Sequence, residues 1–131
     1  CRSVTHLAVE RGLDVQRLFA SWMRWAHLAS HARYGSNYDY HRALFMLNRE
    51  PFLENNWVVL REHGTLKPPL SVLHYSQHDS AAQAESWLDA QVDQLQTVVG
   101  RGRTPFGQSQ FPALWDYADG VDTPAFLAQL A

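Results

Sequence analysis

The sequence predicts an α/β fold, with a mostly parallel sheet flanked by helices and an irregular C-terminal arm. Short apolar runs alternate with longer segments whose apolar residues recur at helical spacing, which is typical of strands alternating with helices. The chain has 131 residues, 46% of them hydrophobic, which is enough to enclose one core. Its single cysteine excludes an internal disulfide framework, so packing and hydrogen bonds must hold the fold together.

The first half of the chain predicts one strand and two helices. Residues 4–9 form a short apolar-rich run that is typical of a strand. Asp14 is a plausible helix N-cap, and the apolar stripe that follows it continues to about His31. The Gly-Ser-Asn sequence at 35–37 should stop this helix. A second helix should begin there and end before Pro51, because the residue before a proline avoids the helical conformation.

The second half predicts two further strands and a third helix. Residues 57–60 are continuously apolar, and residues 70–75 follow a pair of prolines; both segments are typical of buried strands. Residues 81–93 carry an apolar stripe at helical spacing. Residues 95–99 form a further short apolar run. We therefore expect residues 1–102 to form the main α/β portion.

Residues 103–131 form the predicted C-terminal arm. Prolines and glycines interrupt any long helical or strand period there. Large aromatic side chains should nevertheless be buried, namely Phe106, Phe111, Trp115 and Tyr117. Thr123 can cap a last short helix that starts with Pro124. The arm is either a packed terminal segment or a functional loop, and the residues alone leave both open.

Charge and hydropathy exclude several classes of partner. The net charge is −2 and the isoelectric point is near 6.4, so there is no electrostatic case for nucleic acid or an anionic membrane surface. No apolar run approaches the roughly 20 residues that span a bilayer. The scarcity of cysteine suits a reducing compartment, and we expect a cytoplasmic location.

Cys1 is the only strong nucleophile type in the sequence. A thiolate near a turn can be activated by neighbouring N–H groups or cations, and Arg2 adjoins it. A lone cysteine can equally be structural or incidental.

Histidine and aspartate spacings raise the question of a metal. His27 and His31 lie four residues apart on a predicted helix, and His74 and His78 bracket a predicted strand end. No carboxylate or cysteine completes a ligand set at recognisable spacing, so we expect no metal centre. Three aspartates recur every third residue and could hold a cation or form turns: Asp116, Asp119 and Asp122.

Four stretches resemble one known family. Cys1-Arg2-Ser3-Val4 is similar to the segment at the catalytic cysteine of bacterial acyl-CoA reductases, the type that supplies fatty aldehyde to luminescence. Residues 36–43, SNYDYHRA, resemble a family stretch reading NNYDYNRA. Residues 66–73, LKPPLSVL, lie where the superfamily has its Phe-Gly-Pro turn before a strand. Residues 105–123 resemble the family's ending, including WDYADGVDT. The chain thus resembles the C-terminal catalytic portion of an enzyme of the aldehyde dehydrogenase superfamily.

The resemblance implies a partial aldehyde-dehydrogenase-like catalytic domain in residues 1–102, with Cys1 as the catalytic nucleophile. It implies acyl-CoA as substrate, NADPH or NADH as cofactor, and a homo-oligomer that forms through the arm at 103–131. The cofactor-binding residues stay unknown, since Thr65-Leu66-Lys67 offers no carboxylate for the cofactor ribose. We expect the nucleotide-binding region to precede residue 1, so that this chain would be inactive alone.

Two other functions stay open from the residues. The chain could be a non-catalytic α/β interaction module whose aromatic arm docks on a partner. It could also be a hydrolase in which cleavage exposes Cys1 and its own α-amino group is the base. That last class normally has a layered, largely antiparallel sheet.

Overall fold

A four-stranded mixed sheet forms the centre of the fold. The computed structural model describes residues 3–130, and of Asp119 it describes only the backbone. The strands are β1 (His6–Glu10), β2 (Leu53–Glu54), β3 (Val59–Glu62) and β4 (Val72–His78). Their spatial order is β1-β4-β3-β2. β4 pairs in parallel with β1 and with β3, whereas β2 runs antiparallel to β3. The predicted α/β class is confirmed.

The helices lie between and after these strands. They are α1 (Arg17–Trp22), α2 (Ala32–Leu47), α3 (Ala81–Asp89) and α4 (Thr123–Ala128). Tighter 3-10 turns occupy Met23–Ser30, Val92–Gln94 and Ala118–Gly120. Among the described residues, no helix is of a length and apolar character that would carry it through a bilayer.

The chain divides into two compact units. One is Val4–Leu88, which contains the whole sheet, and the other contains residues 89–130 together with Ser3. The sequence predicts a boundary between residues 102 and 103, with a catalytic portion before it and a subunit contact after it. This assignment of roles stays a prediction.

The core of the first unit lies between α2 and the sheet. Tyr38 and Phe45 are seven residues apart, so they lie on the same side of α2. They pack on Val59 and Val72, which are register partners on β3 and β4. Phe52 covers the edge of this cluster. Burial of these side chains fixes α2 across the parallel pair, since apolar area removed from water is the main favourable term in folding.

The predicted helix stop at Gly-Ser-Asn 35–37 was wrong. The break falls at His31, whose backbone is extended (φ −77°, ψ 112°), and α2 runs through Gly35. A Cβ atom at Gly35 would lie only 2.7 Å from the backbone oxygen of Ala29. The glycine therefore allows α2 to approach the preceding turn closely, and it does not end a helix.

Two other predicted features near the C-terminus differ from the structure. The apolar run 95–99 enters no strand in the described chain, although Val99 makes an isolated bridge to Thr104. The predicted cap of the last helix was one residue late: Asp122 Oδ1 accepts a hydrogen bond from Ala125 N–H at 3.0 Å. The Asp122 carboxylate satisfies an N–H that has no partner within the helix.

Candidate functional site

One face of the parallel strands carries a cluster of polar side chains. His74, Ser76 and His78 alternate along β4, so their side chains leave the same face of the sheet. His6 on β1 is the register partner of His74. The cluster, here called the histidine cluster, consists of His6, His63, His74 and His78 with Thr65 and Ser76.

The loop between β3 and β4 closes this cluster from one side. A parallel pair is normally joined through a helix, but here residues 63–71 form a short loop. The Thr65 carbonyl oxygen lies 3.2 Å from His6 Nδ1 and 2.9 Å from His74 Nδ1. The Thr65 backbone N–H donates to His63 Nδ1 at 3.2 Å. One threonine thus binds three imidazole rings through its backbone.

Ser76 links two further ring nitrogens. Its Oγ lies 2.8 Å from His6 Nε2 and 2.8 Å from His78 Nε2. The Trp87 indole, from α3, faces both rings, with centroid distances of 4.8 Å to His6 and 5.5 Å to His78. His6, Ser76 and His78 therefore form a continuous hydrogen-bonded chain beside an aromatic ring.

The carbonyl of Thr65 fixes the positions of the protons. A carbonyl only accepts, so Nδ1 must carry the proton in both His6 and His74. Neutral His6 then has a free lone pair on Nε2, which accepts from the Ser76 hydroxyl. The hydroxyl oxygen in turn accepts from His78 Nε2–H. Every bond in this chain then has one donor and one acceptor.

Burial keeps two of these imidazoles neutral. Desolvation is the main cause that lowers the pKa of His6, and the positive forms of His74, His78 and His63 lower it further. Desolvation likewise lowers the pKa of His74, which is only 4% exposed. The hydrogen bonds to Thr65 act in the opposite direction but do not prevail. At neutral pH His6 is available as a base.

His74 has one unsatisfied atom. Its Nε2 is buried and has no hydrogen-bond partner. Because Nδ1 holds the proton, Nε2 is a buried lone pair without a donor, which costs about 1–3 kcal/mol relative to a paired acceptor. Such a cost is consistent with a chemical role for the histidine cluster in addition to packing.

The SNYDYHRA stretch lies on α2 and is anchored to the sheet. The hydroxyl of Tyr38, in the core, donates to Glu54 Oε2 on β2, and Arg42 Nε lies 3.4 Å from Glu54 Oε1. Burial first and the Glu54 carboxylate second raise the pKa of Tyr38, and the Tyr38 hydrogen bond lowers the pKa of Glu54. This part of the resemblance therefore maps onto a structural anchor.

Three further sequence candidates are Cys1, His27 and His31. Cys1 falls outside the described residues, five positions before His6. His27 packs beside Trp25, and His31 Nδ1 accepts weakly from Tyr34 N–H at 3.4 Å at the start of α2. Among the described residues, no group of three or more His, Cys, Asp or Glu side chains is placed to hold a metal ion.

The aspartates of the arm are described in part. Asp122 caps α4, and its hydrogen bond to the Tyr117 hydroxyl raises the pKa of that tyrosine. The side chain of Asp119 lies outside the described part of the chain. Asp122 therefore acts as the helix cap, the role that the sequence predicted for Thr123.

Sequence reasoning did not recognise His6, Thr65 and Ser76 as members of a site. The signal available was the alternation of His74, Ser76 and His78, which predicts one shared face once the segment is taken as a strand. The contribution of Thr65 could not be inferred, because it depends on the path of an irregular loop.

Comparison with known proteins found no matching family model, no matching curated protein and no matching solved structure.

Proposed function

We propose that this chain is the C-terminal catalytic portion of an acyl-CoA reductase with an aldehyde-dehydrogenase-like fold. It would convert long-chain acyl-CoA to aldehyde with NADPH or NADH. The observation that carries the proposal is the sequence resemblance at residues 36–43 and 105–123. Cys1 matches the family's nucleophile position and is the only thiol in the sequence.

The proposed chemistry uses a thiolate because sulfur is the better nucleophile at neutral pH. Cys1 Sγ attacks the acyl carbonyl, and the C–S bond to CoA breaks as the CoA thiolate leaves and takes a proton. Reduced nicotinamide, when bound, would supply the hydride that converts the enzyme thioester to the aldehyde level and would itself be oxidised. The tetrahedral intermediate collapses, the aldehyde leaves and the Cys1 thiolate is regenerated. Each turnover consumes one reduced nicotinamide and one proton.

Two structural features are compatible with this proposal. The first unit has a largely parallel sheet with helices, as a partial catalytic domain of this superfamily would require. The SNYDYHRA stretch is embedded in the fold through the buried Tyr38. A segment with such a constrained tyrosine is costly to alter, which suits a family-specific sequence.

The arm supports a further part of the proposal, a homo-oligomer. Four of its large side chains are mostly exposed in the single chain, namely Phe106, Phe111, Leu114 and Trp115. Phe106 is 83% exposed and Trp115 is 79% exposed, although aromatic rings strongly favour burial. A second copy of the chain that covers them would remove this apolar surface from water.

The same exposed aromatics favour one alternative, the non-catalytic interaction module. In that case the arm would dock on a different protein, and Cys1 would have no chemical role. The hydrolase alternative has less support, because the described sheet is not layered and largely antiparallel.

The test is turnover by the full-length protein that contains these residues. Long-chain acyl-CoA should cause oxidation of NADPH or NADH with equimolar formation of aldehyde. Cys1→Ser should abolish this reaction, whereas the neighbouring control Ser3→Ala should retain it. Wild-type turnover by Cys1→Ser would contradict the role of Cys1. Absence of any acyl-CoA-dependent oxidation would favour the interaction module.

A further inference from the structure

We propose that Ser76 is the nucleophile of a second, hydrolytic site, with His6 as its base, that acts on small uncharged activated acyl esters. This inference rests on the histidine cluster of the first unit and does not depend on Cys1 or on the reductase proposal. It begins from the contact of Ser76 Oγ with His6 Nε2 at 2.8 Å, a distance suited to proton transfer.

His6 is held in the tautomer that a base requires. Its Nδ1–H points to the Thr65 carbonyl oxygen at 3.2 Å, which leaves the lone pair on Nε2 facing Ser76. In serine hydrolases a carboxylate usually orients the histidine, and here a backbone carbonyl takes that place. A carbonyl carries no full charge, but it fixes the ring and accepts from the imidazolium once His6 is protonated.

His78 acts on the same oxygen from the other side. It is only 6% exposed, so its ring is held in place by packing. Its Nε2–H donates to Ser76 Oγ at 2.8 Å. A hydrogen bond donated to an oxygen that develops negative charge favours the ionised form. Ser76 thus has a base on one side and a donor on the other, an arrangement that packing alone does not require.

The reaction balances without an additional reagent. Ser76 Oγ forms a bond to the acyl carbon while its proton passes to His6 Nε2. The bond to the leaving alkoxide breaks, and that oxygen takes the proton from His6. Water then attacks the acyl carbon and gives a proton to His6. The bond to Ser76 Oγ breaks, the serine recovers its proton, and a carboxylic acid leaves.

The surroundings select the class of ester. Ser76 is half-buried and contacts His6 and His78, whose rings both lie beside Trp87, and this setting limits the size of the acyl group. At the carboxyl end of the parallel strands lie the carboxylates of Glu10, Glu62 and Asp79, of which Asp79 pairs with Arg11. This excess of negative charge disfavours anionic esters. A short uncharged acyl group fits best.

The experiment uses a fluorophosphonate and p-nitrophenyl butyrate as probes. The wild-type chain should take up one phosphonate group, and peptide mapping should place it on Ser76. Ser76→Ala should lose both labelling and ester hydrolysis. His6→Asn keeps a donor near the Nδ1 position but has no base, so labelling should slow by about 10²-fold or more. The exposed control Ser86→Ala should match the wild type.

Labelling of the folded wild type at any residue other than Ser76, or no labelling, overturns the proposal. Because the label is mapped on the wild type, the result stands even if Ser76→Ala fails to fold. Failure of the reductase proposal is separately visible, since an acyl group on Cys1 is a thioester that neutral hydroxylamine cleaves. A butyryl ester on Ser76 resists that treatment.

Discussion

Thr65 shows how one backbone segment can determine the state of several side chains. Its carbonyl oxygen accepts from His6 and His74, and its N–H donates to His63. These bonds set the tautomers, and burial disfavours the charged forms. The consequence is that His6 and His74 are neutral on the sheet face, and their contribution to stability must depend on pH.

The first prediction concerns this pH dependence. The pKa values of His6 and His74 are lowered in the folded protein from the usual 6.5, so the unfolded chain binds protons first as the pH falls. The free energy of unfolding should therefore decrease as the pH falls through 6.5. Urea unfolding between pH 7.5 and 5.5 measures the slope, which His74→Asn should reduce. An unfolding free energy that rises on acidification would contradict the assignment.

The second prediction concerns Tyr38. Removal of its hydroxyl takes away one donor to the part-buried Glu54, although Arg42 and the Asn56 N–H still contact that carboxylate. Tyr38→Phe should lower the free energy of unfolding by about 1–2 kcal/mol. Tyr40→Phe is the matched control, because Tyr40 lies on the same helix and is 62% exposed. Equal effects of the two substitutions in chemical denaturation would disprove the anchor.

At the scale of elements, the sequence predicted the strands and helices that show a local period of apolar residues. The strands near residues 6, 59 and 72 and the helix at 81 follow from apolar patterns, and α/β class follows from their alternation. The misplaced break before α2 had a different cause. Gly35 is explained by contact with Ala29, which comes from the packing of two segments and has no local signal.

Only part of the histidine cluster could likewise be predicted from local periodicity. The shared face of His74 and His78 is implicit in a strand with a period of two. The pairing of His6 with His74 requires the order of strands, which the sequence does not specify. The two-residue strand β2 was missed because Leu53–Glu54 is too short to show any period.

The third prediction tests the close approach at Gly35. Glycine to alanine inside a helix usually stabilises by up to about 1 kcal/mol. Here the new Cβ would lie 2.7 Å from Ala29 O, so Gly35→Ala should lower the melting temperature. Gly64→Ala is the control, because a Cβ there would have no neighbour within 4 Å. Thermal unfolding followed by circular dichroism compares the two, and a stabilised Gly35→Ala protein would refute the contact.

At the scale of the whole molecule, the two compact units have different surfaces. The first unit buries a core between α2 and the sheet. The second exposes large apolar side chains, although Gln96 Nε2 donates to the Tyr117 carbonyl at 3.3 Å and fixes part of the arm. Exposed aromatics on an internally hydrogen-bonded segment are typical of a surface that another chain covers.

The fourth prediction follows from that exposure. Trp115→Ala should weaken self-association of the full-length protein by roughly 2 kcal/mol, as expected for an aromatic anchor in an interface. The control is Trp25→Ala, since Trp25 is partly exposed but belongs to the other unit. Sedimentation equilibrium over a range of concentrations gives both association constants. An oligomer unaffected by Trp115→Ala would exclude the arm as the main contact.

Acyl-enzyme trapping tests the proposed reductase most directly. The full-length protein is incubated with long-chain acyl-CoA in the absence of reduced nicotinamide, quenched in acid and mapped by peptide mass. The account predicts one acyl group on Cys1, sensitive to neutral hydroxylamine and discharged as aldehyde when NADPH or NADH is added before the quench. An acyl group on another residue, or none on a folded protein, would contradict the account.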